Sequence, residues 1–171
     1  MQVLAIDPGL KGGFVIFDGK KFKWWAMPVV DDGKDKLVEF DRVHEILSVE
    51  VNAGTHVFLE RAVSFGMGTK GAFNYGRGFA SVEIAIELVG LPVTYVEPGK
   101  WTKEMCAGIS NDMKPKAKAL VAVKRLYPKL VESLPRDKKG KILDGAVDAL
   151  LIAAYGLRHL KPVPDEDFDF S

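Results

Sequence analysis

Four carboxylates, Asp7, Glu60, Asp144 and Asp148, are the residues on which chemistry can be built. Asp7 ends the apolar run of residues 3–6 and precedes Pro8-Gly9, so its side chain projects past a strand end into the crevice beyond. A turn favours aspartate there in its own right. The layout of Asp7, Gly9 and Gly13 also matches the phosphate-cradling turn of sugar-kinase-like or actin-like ATPases, so Asp7 alone does not choose among these readings. Glu60 ends His56-Val57-Phe58-Leu59, a run too apolar for a sheet edge, and a buried acid is rarely left unpaired. A salt bridge to a nearby Lys would satisfy it, but the adjacent Arg61 points to the opposite face of a strand. Asp144 and Asp148 are four apart and share a helix face with Leu151, Ile152 and Tyr155. Ala146, Ala149, Leu150 and Ala153 make the other side apolar too, so the helix is packed nearly all round. The helix dipole favours Asp144 near the start. Asp148, in the second turn, carries a desolvation cost of several kcal/mol unless a cation or hydrogen-bond donors meet it.

Strand-end and helix carboxylates together are what a hard divalent cation requires: oxygen ligands, negative charge and open water positions. Two such ions activate an attacking water and stabilise the leaving oxygen of an in-line displacement, which suits phosphodiester hydrolysis. Cys106 is the only cysteine, so the chain forms neither an intramolecular disulfide nor a thiolate cluster. Any metal must sit on oxygen or histidine.

The elements that must position these acids follow from periodicity. Residues 3–6, 13–17 and 22–26 read as three antiparallel strands, the last two joined by the turn signal Asp18-Gly19. Residues 31–35 read as a polar loop, and Leu37, Phe40, Val43 and Leu47 predict a crossover helix. Residues 56–60 are a buried strand, 61–71 a glycine-rich loop, and Phe79, Val82, Ile86 and Val89 a helix stopped by Gly90. A fifth strand at 93–96, a short segment around Trp101, a helix through Leu120, Val123 and Tyr127, and a last helix from about 143 to 159 complete the chain. This order predicts an α/β domain whose five-stranded mixed sheet is antiparallel first and parallel later, with helices on both faces. The expected division is one domain over residues 1–161 and a mobile tail over 162–171 carrying Asp165, Glu166, Asp167 and Asp169.

At 171 residues, with 47% hydrophobic and 27% charged, the composition is that of one globular domain. No apolar run approaches membrane-spanning length and no leader pattern opens the chain, so the expected location is the cytoplasm, beside the nucleoid or in the host's cytoplasm if a phage encodes it. The net charge of +1 hides an asymmetry, because residues 100–141 hold twelve Lys and Arg against four acids. Nucleic-acid phosphates and solvated helix faces account for that stretch equally well.

With the acids in place, the sequence resembles the RuvC-like Holliday junction resolvases, particularly phage and organellar-type members of the ribonuclease H-like superfamily. The matching stretches are Leu4-Ala5-Ile6-Asp7-Pro8-Gly9, Val57-Phe58-Leu59-Glu60, Phe73-Asn74-Tyr75-Gly76-Arg77-Gly78 and Asp144-Gly145-Ala146-Val147-Asp148-Ala149-Leu150, in family order. The resemblance implies a ribonuclease H-like fold and a homodimeric endonuclease cutting four-way and related branched DNA. It implies Mg²⁺ or Mn²⁺, two ions per site, held by Asp7, Glu60 and Asp148, with Asp144 as the additional acid. Several relatives carry an acid or His where this chain has Gly145, and some carry His at the place of Leu143, so Asp144 would serve from one residue further away. The implied DNA contacts are Phe65 as a wedge at the crossover, Phe73, Tyr75 and Arg77 in the next segment, and Lys103, Lys114, Lys116 and Lys118 near the scissile phosphate. Core packing is an equal reading for Phe73 and Tyr75, and the sequence does not choose among the three lysines at 114–118. A single lobe of a sugar-kinase-like or actin-like ATPase and a non-catalytic DNA-binding domain are the alternatives.

Overall fold

The computed structural model describes residues 1–31, 33–61 and 66–160. Its main sheet contains β1 (Val3–Asp7), β2 (Gly13–Phe17), β3 (Phe22–Ala26), β6 (His56–Glu60) and β7 (Val93–Val96) in the order β3-β2-β1-β6-β7. The pairs β1·β2 and β2·β3 are antiparallel, and β6 joins β1, and β7 joins β6, in parallel. This is the mixed sheet expected from the sequence, with the expected strand bounds.

Strand alternation sorts the core into two layers. Val3, Ala5, Val15, Phe17, Phe58 and Val96 face α3 (Pro98–Met105), α4 (Pro115–Leu126) and α5 (Asp144–His159). Leu4, Ile6, Phe14, Val57 and Leu59 face α1 (Phe40–Glu50) and α2 (Thr69–Val89). Each fully covered Leu or Phe contributes about 1.5–3 kcal/mol relative to exposure, and a one-residue slip would turn every one of them to the wrong layer.

Two readings of the sequence need correction. Asp31, read as loop, ends β4 (Val29–Asp31), which pairs with β5 (Lys36–Val38) in a two-stranded ribbon, and Leu37 belongs to that ribbon rather than to α1, which begins at Phe40. Strands of three residues are too short for alternation to show, and Val38 is held instead by close approach to Gly78 of α2. Helix α2 also starts earlier than its apolar period indicates, at Thr69, inside the stretch read as loop. It ends as expected at Gly90, whose φ of 73° places it in the left-handed region that favours glycine. A 3₁₀ turn at Pro128–Ser133, unmarked in the sequence, follows α4.

The last helix is covered along nearly its whole length, as its all-round apolar pattern requires. Its start is pressed against the loop after β1. A Cβ on Gly145 would overlap the Lys11 carbonyl oxygen and Gly12, and one on Gly12 would overlap Asp7 itself. A side chain at Gly145 would therefore collide with the loop after β1. We expect Gly145→Ala to lower unfolding stability in urea by about 1–3 kcal/mol, the usual cost of overpacking. Gly99→Ala in α3, where a Cβ meets nothing within 4 Å, should be neutral or slightly stabilising.

Candidate active site

Alternation along β1 and β6 decides where the first two acids point. Since Ala5 and Phe58 face the α5 layer, Asp7 and Glu60, two residues further on each strand, face it too. The parallel register pairs Ile6 with Leu59, so the next step sets Asp7 beside Glu60 at about one strand spacing, roughly 4.8 Å. Helix α5 crosses this edge and brings Asp148 to the same side, and all three carboxylates are partly buried. Arg61 turns to the other face, its guanidinium 5.4 Å from the centre of the Tyr95 ring, and leaves Glu60 without a salt bridge from its neighbour.

What meets these acids is sparse. The Gly9 N–H donates to Asp7 Oδ1 at 3.0 Å, and the indole N–H of buried Trp101 donates to Glu60 Oε1 at 2.7 Å. Burial, and then the charges of Asp7 and Asp148, push the Glu60 carboxyl up to about 7 against the lowering effect of Trp101. Burial followed by the charges of Asp7 and Asp144 pushes Asp148 up to about 7, with Lys116 opposing. Burial also raises Asp7, opposed by the Gly9 N–H and by Lys116. Tyr75, half-buried at the same edge, is raised to about 12 by burial and then by the charges of Glu60 and Asp7.

Asp144 differs from the other three. Lys116 Nζ donates to its Oδ2 at 2.8 Å and Lys141 Nζ at 3.2 Å, and the Lys116 hydrogen bond above all holds it below the ordinary range. It is a neutralised partner at the rim, not a repelled member of the cluster. Among the described residues no three His, Cys, Asp or Glu side chains are gathered tightly enough to chelate one ion. Asp7, Glu60 and Asp148 face a common space, where Glu60 and Asp148 each feel the charge of Asp7. The donor set itself, three partly buried hard carboxylates with few protein donors, is of the kind a divalent cation offsets.

The basic residues differ in how close they come to the acids. Lys116 feels the charges of Asp144, Asp148 and Asp7, whereas Lys118 bonds Asn111 Oδ1 at 2.7 Å, and Lys103 and Lys114 are exposed. Phe73 is 64% exposed and lies under the Arg77 guanidinium at 5.7 Å, so core packing is excluded for it. Tyr75 reaches the acids, while Phe65 lies outside the described residues. Trp101, the donor that fixes Glu60, went unassigned in the sequence. A lone Trp in a short helix carries no motif, and only the fold lays α3 across the end of β6.

The sheet, antiparallel then parallel with helices on both faces, has the ribonuclease H-like fold, and the acids stand on β1, β6 and α5. Among solved structures, RuvC of Thermus thermophilus in complex with a Holliday junction substrate is similar over 92% of this chain and 95% of its own, at 19% identity and a TM-score of 0.58. A second structure of Thermus thermophilus RuvC is similar over 92% and 96%, at 22% identity and a TM-score of 0.57. No protein-family model and no curated protein matches the sequence.

The raised carboxyls set a pH dependence of stability. Unfolding returns Glu60 and Asp148 to their ordinary values of 4.5 and 3.8, so between about pH 4 and 7 the folded chain holds more protons than the unfolded one. Stability without metal is therefore full below that window, falls as pH rises through it and stays low above about 7. The loss is on the order of 2–3 kcal/mol after allowance for partial exposure. Thermal melts of Glu60→Gln or Asp148→Asn should show a weaker fall with pH and a higher Tm than the unaltered protein at pH 8.

Proposed function

We propose that the protein is a structure-selective endodeoxyribonuclease that resolves four-way and related branched DNA by divalent-metal-dependent phosphodiester hydrolysis. The observation that carries this reading is the set Asp7, Glu60 and Asp148, three partly buried, mutually repelling carboxylates on one sheet edge, on a fold shared with a RuvC bound to a junction. A near-complete match to RuvC in both directions also disfavours half of a two-lobed ATPase.

Asp7, Glu60 and Asp148 would hold Mg²⁺ or Mn²⁺, two ions per site, after modest side-chain rotation, with Asp144 available from the rim. Bound there, the ions would supply a nucleophilic water and charge stabilisation at the leaving oxygen. The chain's own residues do the rest. Trp101 fixes one Glu60 oxygen and leaves the other for ligation, and the Gly9 N–H does the same for Asp7. Lys116 can exchange Asp144 for a phosphate oxygen, bringing a cation to the scissile group as the strand arrives. Lys103, Lys114 and Lys118 would add backbone contacts, and Phe73, Tyr75 and Arg77, with Phe65, would meet bases at the crossover.

We propose further that two copies act together, because cutting opposed strands of a symmetric junction calls for paired sites. The C-terminal half of α2 supports this, since Ile84 and Leu88 are one turn apart and 50% and 64% exposed. The protein would then work with DNA, nucleoid-associated in the cytoplasm or in the host's cytoplasm if phage-encoded.

Purified protein incubated with synthetic four-way, three-way and linear duplexes, with and without Mg²⁺, tests the reading. Metal-dependent cleavage favouring branched substrates is expected, whereas nucleotide hydrolysis or binding without cleavage would overturn it. Asp7→Asn, Glu60→Gln and Asp148→Asn should each reduce cleavage by at least 10²-fold and leave junction affinity within a few-fold. Asp144→Asn should be milder, because Asp144 begins as the partner of two lysines. Sedimentation should show Ile84→Glu/Leu88→Glu shifted from dimer to monomer with the fold retained by circular dichroism.

A further inference from the structure

Between α4 and α5 the chain makes a small hairpin that the reading above leaves unused. Arg136 and Ile142 pair as an antiparallel bridge, and the Leu143 N–H donates to the Pro135 carbonyl at 2.9 Å. The Asp137 carboxylate accepts the backbone N–H groups of Lys139 and Lys141 at 2.8 and 2.9 Å, and the Arg136 guanidinium donates to the Gly140 carbonyl at 3.0 Å. Gly140, at φ 80°, supplies the left-handed residue of the turn. The turn is thus tied by its own side chains, while Ile142 and Leu143 at its base pack against the core.

Its tip presents Lys138 and Lys139, both exposed and, among the described residues, without a carboxylate in ion-pairing range. Its returning strand forms one wall of a cleft of about 420 Å³ that is also lined by Lys11, Trp24, Lys116 and Asp144. The cleft therefore opens directly beside the acid cluster. Among the side chains lining the cleft Lys11, Lys116 and Lys141 outnumber Asp137 and Asp144, and the exposed Lys138 and Lys139 add to them, so the net charge facing the cleft mouth is positive. Held lysines beside a cleft suit a repeated anion more than a single small one, because successive phosphates can meet Lys11, Lys141 and the tip together.

We propose that residues 135–143 form a phosphate-gripping finger that seats the nucleic-acid strand on the α5 side of the scissile phosphate. The ligand class is a phosphodiester backbone, with Trp24 offering an aromatic wall to an unstacked base. This rests on the nuclease reading, but it concerns residues outside the acid cluster and outside the lysines already given a role.

The test is Lys138→Ala/Lys139→Ala, which removes two exposed side chains and leaves the tied turn intact. Junction binding is measured in metal-free buffer across a salt series, with circular dichroism and melting to confirm the fold. The finger predicts a slope of log affinity against log salt shallower by about 2, at roughly 0.9 per lost phosphate contact. Neutral methylphosphonates within a few nucleotides of the cleavage point on one side should weaken the unaltered protein and have no further effect on the variant. An unchanged slope in a protein that cuts junctions overturns the finger alone. Weakening equal at methylphosphonates on both sides and additive with the mutations means general charge attraction and also overturns it. If the unaltered protein neither binds nor cuts branched DNA, the nuclease reading falls, and the finger with it.

Discussion

Everything at the working end of this molecule depends on an unfavourable interaction, the crowding of Asp7, Glu60 and Asp148 at a partly desolvated sheet edge. The strand register admits no relief. Asp7 and Glu60 are forced to one side by the same alternation that buries Ala5 and Phe58, and moving either acid would invert the strand's whole apolar set. Asp148 is committed by the packing of α5 along nearly all its turns. The core therefore supplies the free energy that keeps three like charges close, and their raised affinity for protons records the cost. A site built this way is poised for any small, highly charged cation, because binding relieves a strain that folding imposes.

The approach of α5 to the β1 edge is possible only because two residues have no side chain. Gly145 lets the first turn of the helix rest on the Lys11 carbonyl, and Gly12 lets the chain turn past the Asp7 carboxylate. A larger side chain at Gly145 would need the helix to stand further off. The fourth carboxylate, Asp144, is at the first residue of α5, where solvent, the helix dipole and two lysines can reach it. That position sets its chemistry. Asp144 is held ionised and paired, while the three deeper acids are pushed toward the protonated form.

How far this was legible in the sequence follows from where each signal resides. Periodicity is local, so the five strands of the main sheet and the coverage of α5 could be read directly, as could the acids that end β1 and β6. Asp148 was legible because its helix was apolar on every side, a pattern that leaves an acid no solvated face. The ribbon β4·β5 was not, since three-residue strands hold too few alternations and their place is set by contact with α2. That Lys116, rather than Lys114 or Lys118, reaches Asp144 depends on the angle between α4 and α5, a tertiary quantity no spacing encodes. Trp101 was hidden for the same reason, because its bond to Glu60 spans 41 residues and depends on α3 crossing a strand end.

The charge plan resolves a conflict built into the reading. A polyanionic strand must approach a cluster of carboxylates, and a uniformly acidic rim would repel it before any ion could bridge the two. The chain separates the two requirements in space. Its deep acids are partly enclosed by sheet and helix, while the cleft beside them is lined by Lys11, Lys116 and Lys141. Fields from the rim act over about a Debye length, roughly 8–10 Å at physiological salt, and fall away beyond it. Partly buried carboxylates are screened far less from a cation seated among them. On the proposed nuclease reading the rim would govern how strands are gathered and would be sensitive to salt, whereas the centre would govern which ion is held and would not. That division allows a chain of net charge +1 to serve two opposite electrostatic ends on one edge of one sheet.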